Sequence, residues 1–255
     1  MAGTQTADRF SNRVQDYVRY RPGYPAELVS WLHAHGVPED ARAADIGAGT
    51  GISSQMLLAA GHPVIAVEPN DGMRTAAERW LQPRYPGFAT VAGTAEATGL
   101  ADASVQLVSA AQAFHWFDTA AIVPEWRRIL APGGQVLVYW NSRLLDGSAF
   151  LRGYEQLLLD HGTDYSAVAE RYQDDAQMRD WFGGGLQAIG RFPNVQMLDQ
   201  EALRGRLLSS SYAPVAGQPG HAPMLEALDA LFQAHAVNGK VAFEYHTRAF
   251  LGTLD

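Results

Sequence analysis

One short stretch concentrates residues able to do chemistry. Asp45-Ile46-Gly47-Ala48-Gly49-Thr50-Gly51 sets an acid two residues before glycines at three alternate positions. Glycines let a backbone turn sharply and let a ligand approach the main chain closely. A second acid, Glu68, stands 21 residues beyond Gly47. A carboxylate there can accept both hydrogen bonds of a ribose diol. The dinucleotide fingerprint is G-x-G-x-x-G/A; Gly47 and Gly49 match it, but Ile52 holds its sixth position. An acid just ahead of the turn repels a pyrophosphate and suits a cationic amino group. The expected ligand is therefore a nucleoside carrying an ammonium group and no phosphates. Helix capping and turn chemistry are the competing reading of Asp45 and Glu68.

Such a turn needs a strand before it and a helix after it. Residues 41–46 are apolar and read as a short buried strand; 50–60 carry Ile52, Met56, Leu57 and Ala60 at helical spacing, with Gly61 as the stop. Residues 63–68, 88–92, 105–109 and 135–140 read as four further strands. Between them fall a helix with Asp71 as N-cap, running to Leu81, and one after Asp118 with Ile122, Trp126, Ile129 and Leu130 on one face. Pro124 fits the start of that helix. This alternation predicts an α/β fold with a parallel sheet covered on both faces. Beyond Gly147, residues 148–190 read as helical pieces bearing Tyr154, Tyr165, Tyr172, Trp181 and Phe182. A strand at 192–198, a helix at 224–236 and a strand at 241–247 complete the chain.

Composition excludes several classes. The 255 residues carry a net charge of −8, and of the 19 basic residues only Lys240 is a lysine. No basic run offers a nucleic-acid backbone surface, so no nucleic-acid partner is expected. Cysteine is absent, which removes disulfides, thiolate nucleophiles and cysteine-based metal sites. His33 and His35 are two apart on a helix and diverge, so no metal is expected. The start of the chain has no apolar segment of a secretory signal, and no apolar run is long enough for a membrane span. A soluble, cytoplasmic protein, monomer or homodimer, is the expectation.

S-adenosylmethionine meets the description of the ligand: ribose, adenine, an α-amino group and a sulfonium. The turn resembles the first motif of class I S-adenosylmethionine-dependent methyltransferases, and Val67-Glu68-Pro69 resembles the second. Gly93-Thr94-Ala95-Glu96, Ala111-Gln112-Ala113-Phe114-His115-Trp116-Phe117 and Arg128-Ile129-Leu130-Ala131-Pro132-Gly133-Gly134 resemble segments of the small-molecule "type 11" branch. The likeness covers residues 10–145 and, more weakly, 203–250. It implies a Rossmann-like, doubly wound, seven-stranded, mostly parallel sheet with a helical cap insertion. It implies that Asp45 holds the methionine amino group, directly or through water. Gly47 and Gly49 would pass under the cofactor, Glu68 would bind the ribose, and Met73 would flank the adenine. Ala95 and Glu96 would sit at the adenine edge, and Gln112 would line the methionine end. Phe114, His115 and Trp116 would surround the methyl group. Core packing is the rival reading of Met73, and a solvated turn that of Glu96.

The segment from Tyr17 to Pro25 holds three tyrosines and two prolines. Tyr17 and Tyr20 share a helix face, and Pro22 should end that helix at Arg21. In the branch it resembles, such a segment closes over the cofactor, so Tyr17, Tyr20 and Arg21 are expected to touch cofactor or acceptor; a structural arm is the alternative. His115 is the expected general base, if the acceptor needs one, against a structural role. Trp140, Asn141 and Arg143 follow the fifth strand and face the acceptor by topology; Tyr212 ends a Ser-Ser-Ser-Tyr segment expected near it. The domain plan is a strap over 1–40, a cofactor-binding core over 41–146, a helical cap over 147–190 and closing strands with an inserted helix over 191–255. The expected activity is methyl transfer to a small molecule, a planar heteroaromatic or secondary-metabolite N or O acceptor. Carboxyl O-methylation of a small polycarboxylic acid stays open, with Arg21 or Arg143 as the clamp. So do a nicotinamide-dependent oxidoreductase and a non-catalytic cofactor-binding module. RNA or DNA methylation is disfavoured by the charge and by Gln112-Ala113-Phe114-His115 after the fourth strand.

Overall fold

A computed structural model describes residues 20–166 and 174–254. Tyr17, Tyr172 and the helix expected before Tyr20 lie outside the described residues. The chain runs α1 (Glu27–Ala34), β1 (Ala43–Ile46), α2 (Ile52–Ala59), β2 (Val64–Val67), α3 (Asp71–Leu81), β3 (Phe88–Val91) and β4 (Val105–Ala110). A short 3₁₀ turn (Gln112–Trp116) follows, then α4 (Ile122–Ile129), β5 (Leu130–Arg143), α5 (Ala149–His161) and α6 (Asp175–Phe182). The chain ends with β6 (Leu186–Leu198), α7 (Gln200–Leu208), α8 (His221–His235) and β7 (Val241–Gly252).

The strands form one seven-stranded sheet in the order β3-β2-β1-β4-β5-β7-β6. Neighbours from β3 to β5 are parallel, and β7 runs antiparallel to both β5 and β6. This is the doubly wound, mostly parallel α/β architecture the alternation predicts. Strand order reverses between β1 and β4, so the crevice beyond their carboxyl ends is the expected ligand site.

Burial explains why these segments pair. All of β1 is buried, as a strand covered on both faces must be. One apolar cluster, with Leu28, Leu32, Leu57, Leu81 and Tyr139, lies on one side of the sheet. A second, with Ile46, Val108, Phe114, Trp126, Trp140 and Phe250, gathers α4 and α6 against it. A third, with Tyr154, Leu158, Leu203, Leu228 and Phe243, joins α5, α7 and α8. Thus α6 belongs with the sheet's core, whereas α5 shares its own core with the later helices.

Several element ends differ from the sequence reading. The N-cap of α3 is Asn70, whose Oδ1 accepts the Met73 N–H at 3.0 Å, while Asp71 pairs with Arg74. Pro124 lies in the first turn of α4, where its missing N–H costs nothing. The strands β5, β6 and β7 are longer than expected, because pairing with β7 continues through polar residues that a hydrophobic pattern does not register. Helix α7 is new: its inward positions Leu203, Gly205, Arg206 and Leu207 mix apolar, small and charged residues. Its one clear sequence signal is the N-cap Asp199, which accepts the Ala202 N–H at 2.9 Å.

Candidate functional site

The glycine turn leaves β1 at the switch point, and each glycine meets a different demand. Gly47, Gly49 and Gly51 all have positive φ. A Cβ on Gly47 would lie 2.5 Å from the Ala113 Cβ, and one on Gly51 would lie 2.6 Å from Leu81 Cδ1. Those two are small so that the 3₁₀ turn and α3 can close in. Gly49 differs: a Cβ there would meet only Met73 Sδ, at 3.7 Å. Its main chain is the open part of the turn.

Glu68 follows β2 directly and is 7% exposed. Its Oε2 accepts the Gly49 N–H at 3.0 Å and its Oε1 the Asn70 N–H at 2.9 Å. Burial pushes this carboxyl up, and those two N–H groups and Arg74 oppose the shift. Each oxygen has a further lone pair, so both can accept a diol's hydroxyls. The Arg74 guanidinium reaches over the Glu68 carbonyl at 2.7 Å and fixes the strand end. Met73, 6% exposed, stands beside the open glycine.

Asp45 is engaged by the protein's own hydroxyls. It is wholly buried, and its carboxylate accepts Ser53 and Ser54 hydroxyls at 2.6 Å each and Ser109 at 3.2 Å. Burial raises its pKa and the three serines pull it back. The side chain ties β1 to α2 and β4 from behind the turn, and none of its surface is open to a direct ligand contact. The signal was in the sequence as Ser53-Ser54, one turn after the glycines.

Past β4, the 3₁₀ turn carries Gln112, His115 and Trp116 above Gly47. Gln112 bridges to β5: its Oε1 accepts the Asn141 N–H at 3.3 Å. The His115 ring stands edge-on to Trp140, centroids 4.8 Å apart. Phe114 is wholly buried against Trp126 and packs edge-on to Trp181, and is corrected from methyl-group neighbour to core. Ala95 is buried, and its carbonyl accepts the Trp126 indole N–H at 3.1 Å; Glu96 is exposed on the same loop.

Two residues assigned to the acceptor belong to the framework instead. Trp140 is fully buried, stacked on Phe250 with Arg248 over its ring, because alternation along β5 turns it into the second core. Asn141 binds the strap: its Nδ2 donates to the Gly23 carbonyl at 3.1 Å, and its Oδ1 accepts Thr247 and Asn194 at 2.6 and 3.0 Å. The strap is also held by Tyr20 Oη on Glu201 at 3.0 Å and Arg21 on the Ser209 carbonyl at 2.8 Å. Gly205 accommodates it, since a Cβ there would sit 2.1 Å from the Tyr20 ring. Arg143 ends β5 next to Glu155, and Tyr212 packs edge-on to Tyr165 at 5.1 Å. Tyr154 and Phe182 are buried, and Trp181 is partly buried against the second cluster. Among the described residues, no helix is long and apolar enough to cross a membrane, and no group of acids and histidines could hold a metal ion.

Residues 44–138 match a family described as "Methyltransferase domain". An uncharacterized methyltransferase of Mycobacterium tuberculosis is 41% identical over 135 residues, 52% of each chain. A malonyl-[acyl-carrier protein] O-methyltransferase of Methylococcus capsulatus is 38% identical over 108 residues, 40% of this chain and 38% of that one. The chain therefore spans about half the length of the curated relatives it matches first. Among solved structures, a provisionally assigned type II methyltransferase from Anaeromyxobacter dehalogenans superposes with a TM-score of 0.66 at 22% identity, over 91% of this chain and 97% of that one. A Haemonchus contortus phosphoethanolamine N-methyltransferase, solved with phosphomonomethylethanolamine and S-adenosylhomocysteine, gives 0.57 at 16% identity, over 95% and 57%.

Proposed function

We propose, from the match of residues 44–138 to a methyltransferase domain, that the protein is an S-adenosylmethionine-dependent methyltransferase that methylates a small-molecule acceptor. The observation that carries the reading is Glu68: a buried carboxylate at the end of β2, hydrogen-bonded to Gly49 across the open part of the glycine turn. That pairing sets a diol acceptor beside a backbone with room for a ligand at the switch point. When bound, S-adenosylmethionine supplies a methyl group made electrophilic by its sulfonium.

The chain's own residues do the rest. Glu68 orients the sugar, and Met73 and Ala95 provide apolar contact for a base. The carboxylate of Asp45 acts from behind the turn, by holding Gly47 and Gly49 in place and by favouring a cation nearby. Gln112 links the 3₁₀ turn to β5 and so fixes His115 beside the transfer position. The strap from Tyr20 to Pro25 covers the acceptor side and excludes water. Acceleration comes mainly from alignment and desolvation. His115 takes the proton from an acceptor that keeps one at neutral pH.

Equilibrium dialysis with labelled S-adenosylmethionine, competed by S-adenosylhomocysteine and by NAD, tests the reading. Saturable binding displaced by S-adenosylhomocysteine and not by NAD is the expected result. Displacement by NAD alone would instead favour the oxidoreductase.

A further inference from the structure

Buried donors beyond the end of β5 have no task in cofactor binding. Arg206, on α7, is 7% exposed. Its Nε donates to Tyr245 Oη at 3.2 Å and its Nη1 to Ser210 Oγ at 3.1 Å, with the Phe243 ring centroid 5.5 Å from the guanidinium. Both partners are neutral hydroxyls, and no carboxylate among the described residues pairs with it. Arg143, the last residue of β5, has a side chain 10% exposed and pairs with Glu155. It also donates to Tyr165 Oη at 3.0 Å, yet its Nη1 is buried without an acceptor. Tyr154, 1% exposed, has a buried hydroxyl with no partner, and the Arg143 guanidinium lies 5.2 Å from its ring centroid.

The Tyr154 ring stands edge-on to Phe243, centroids 4.8 Å apart, so the ring that Arg206 covers also touches the tyrosine beside Arg143. Burial alone would raise the Tyr212 phenol, yet it stands below its ordinary value because Arg206, Arg21, the Ser210 hydroxyl and Arg143 all act on it. Tyr154 feels both Arg206 and Arg143. The positive charge thus converges on one place, at the carboxyl edge of the parallel strands, where open α/β sheets bind ligands. A buried guanidinium without a counter-charge, and buried donors without acceptors, are costly in a folded protein. A ligand that supplies the missing anion offsets both.

We propose that the acceptor carries a carboxylate, held by Arg206, the Arg143 Nη1 and the Tyr154 hydroxyl. The proposal rests on the methyltransferase reading and names the acceptor class for it. Glu155 already cancels Arg143, so the two arginines keep one net positive charge. A carboxylate neutralises that charge, whereas a phosphate dianion would overshoot it. Planar guanidinium also matches the two oxygens of a carboxylate.

The test uses the full chain saturated with S-adenosylhomocysteine. Calorimetry compares acetate, benzoate, succinate and citrate, each beside its primary amide, with inorganic phosphate as a further arm. At least one carboxylate should bind saturably, at least tenfold tighter than its amide and than phosphate. Arg206→Met should weaken that binding at least tenfold while S-adenosylhomocysteine affinity stays within twofold. Tyr154→Phe removes only an unpartnered hydroxyl, so it should fold as the parent does; it should weaken the same carboxylate at least threefold. The proposal is overturned if every carboxylate fails, if amides bind equally, if phosphate binds tighter, or if Tyr154→Phe leaves carboxylate affinity unchanged. Failure of S-adenosylhomocysteine itself to bind would strike the methyltransferase reading instead, before any carboxylate is added.

Discussion

The glycine turn and the arginine–tyrosine group beyond β5, the two proposed ligand sites, are built in opposite ways. The first is assembled from residues close in the chain: Asp45, Gly47, Gly49, Ser53, Ser54 and Glu68 come from β1, the turn after it, α2 and the residue that follows β2. Its polar groups are already satisfied by the protein, as the three serines on Asp45 and the two N–H groups on Glu68 show. The second gathers Arg143, Tyr154 and Arg206 from β5, α5 and α7, and leaves buried donors unmet. A preformed local turn can be specified by a short stretch of sequence, whereas a site drawn from distant elements depends on the whole fold.

Substitutions can break or sharpen that contrast. The largest effect is expected from Gly47→Val, which combines a β-branched residue at positive φ with a 2.5 Å approach to Ala113. It should cost about 3–5 kcal/mol of stability, measured by urea unfolding. Next, His115→Ala should slow methyl transfer by about 100-fold for a proton-bearing acceptor, at the low end of general-base effects, with cofactor affinity within twofold. Equal turnover would remove His115 from the chemistry. Asn141→Ala removes three hydrogen bonds that hold the strap and the long strands together. It should cost about 2 kcal/mol, and limited proteolysis should cut first near Gly23.

The smallest effect lies away from both sites. Glu125 accepts from Arg128, Thr98 N–H and Thr98 Oγ1, and Arg128 holds its carboxyl down at about 2. A pKa lowered in the folded state stabilises at neutral pH and loses that stabilisation as pH falls from the ordinary carboxylate range to about 2. Glu125→Gln should therefore cost about 1–2 kcal/mol at pH 7, after allowing for solvent around Arg128, and nothing near pH 2. A difference that persists at pH 2 would assign the effect to packing.

The contrast also explains what was legible in the sequence. The switch point was legible because alternating strand and helix patterns, three glycines and Glu68 are local signals. Asp45 was legible as an acid ahead of the turn, but its three serine partners were not, since they depend on which residues the fold brings to it. Trp140 and Asn141 were misassigned for a related reason. Topology puts the end of β5 at the ligand edge, but strand alternation and strap docking decide where each side chain goes. Arg206 was missed altogether. Its helix is irregular in pattern, and a buried arginine looks like a surface one until Tyr245 and Ser210 are seen around it.

Calorimetric titration of S-adenosylhomocysteine into the parent protein and into Glu68→Ala tests the central claim most directly. One saturable site in the parent, weakened by about 2 kcal/mol or more when the carboxylate is removed, is the predicted result. Absence of saturable binding to the parent, or equal affinity in the two proteins, would contradict it.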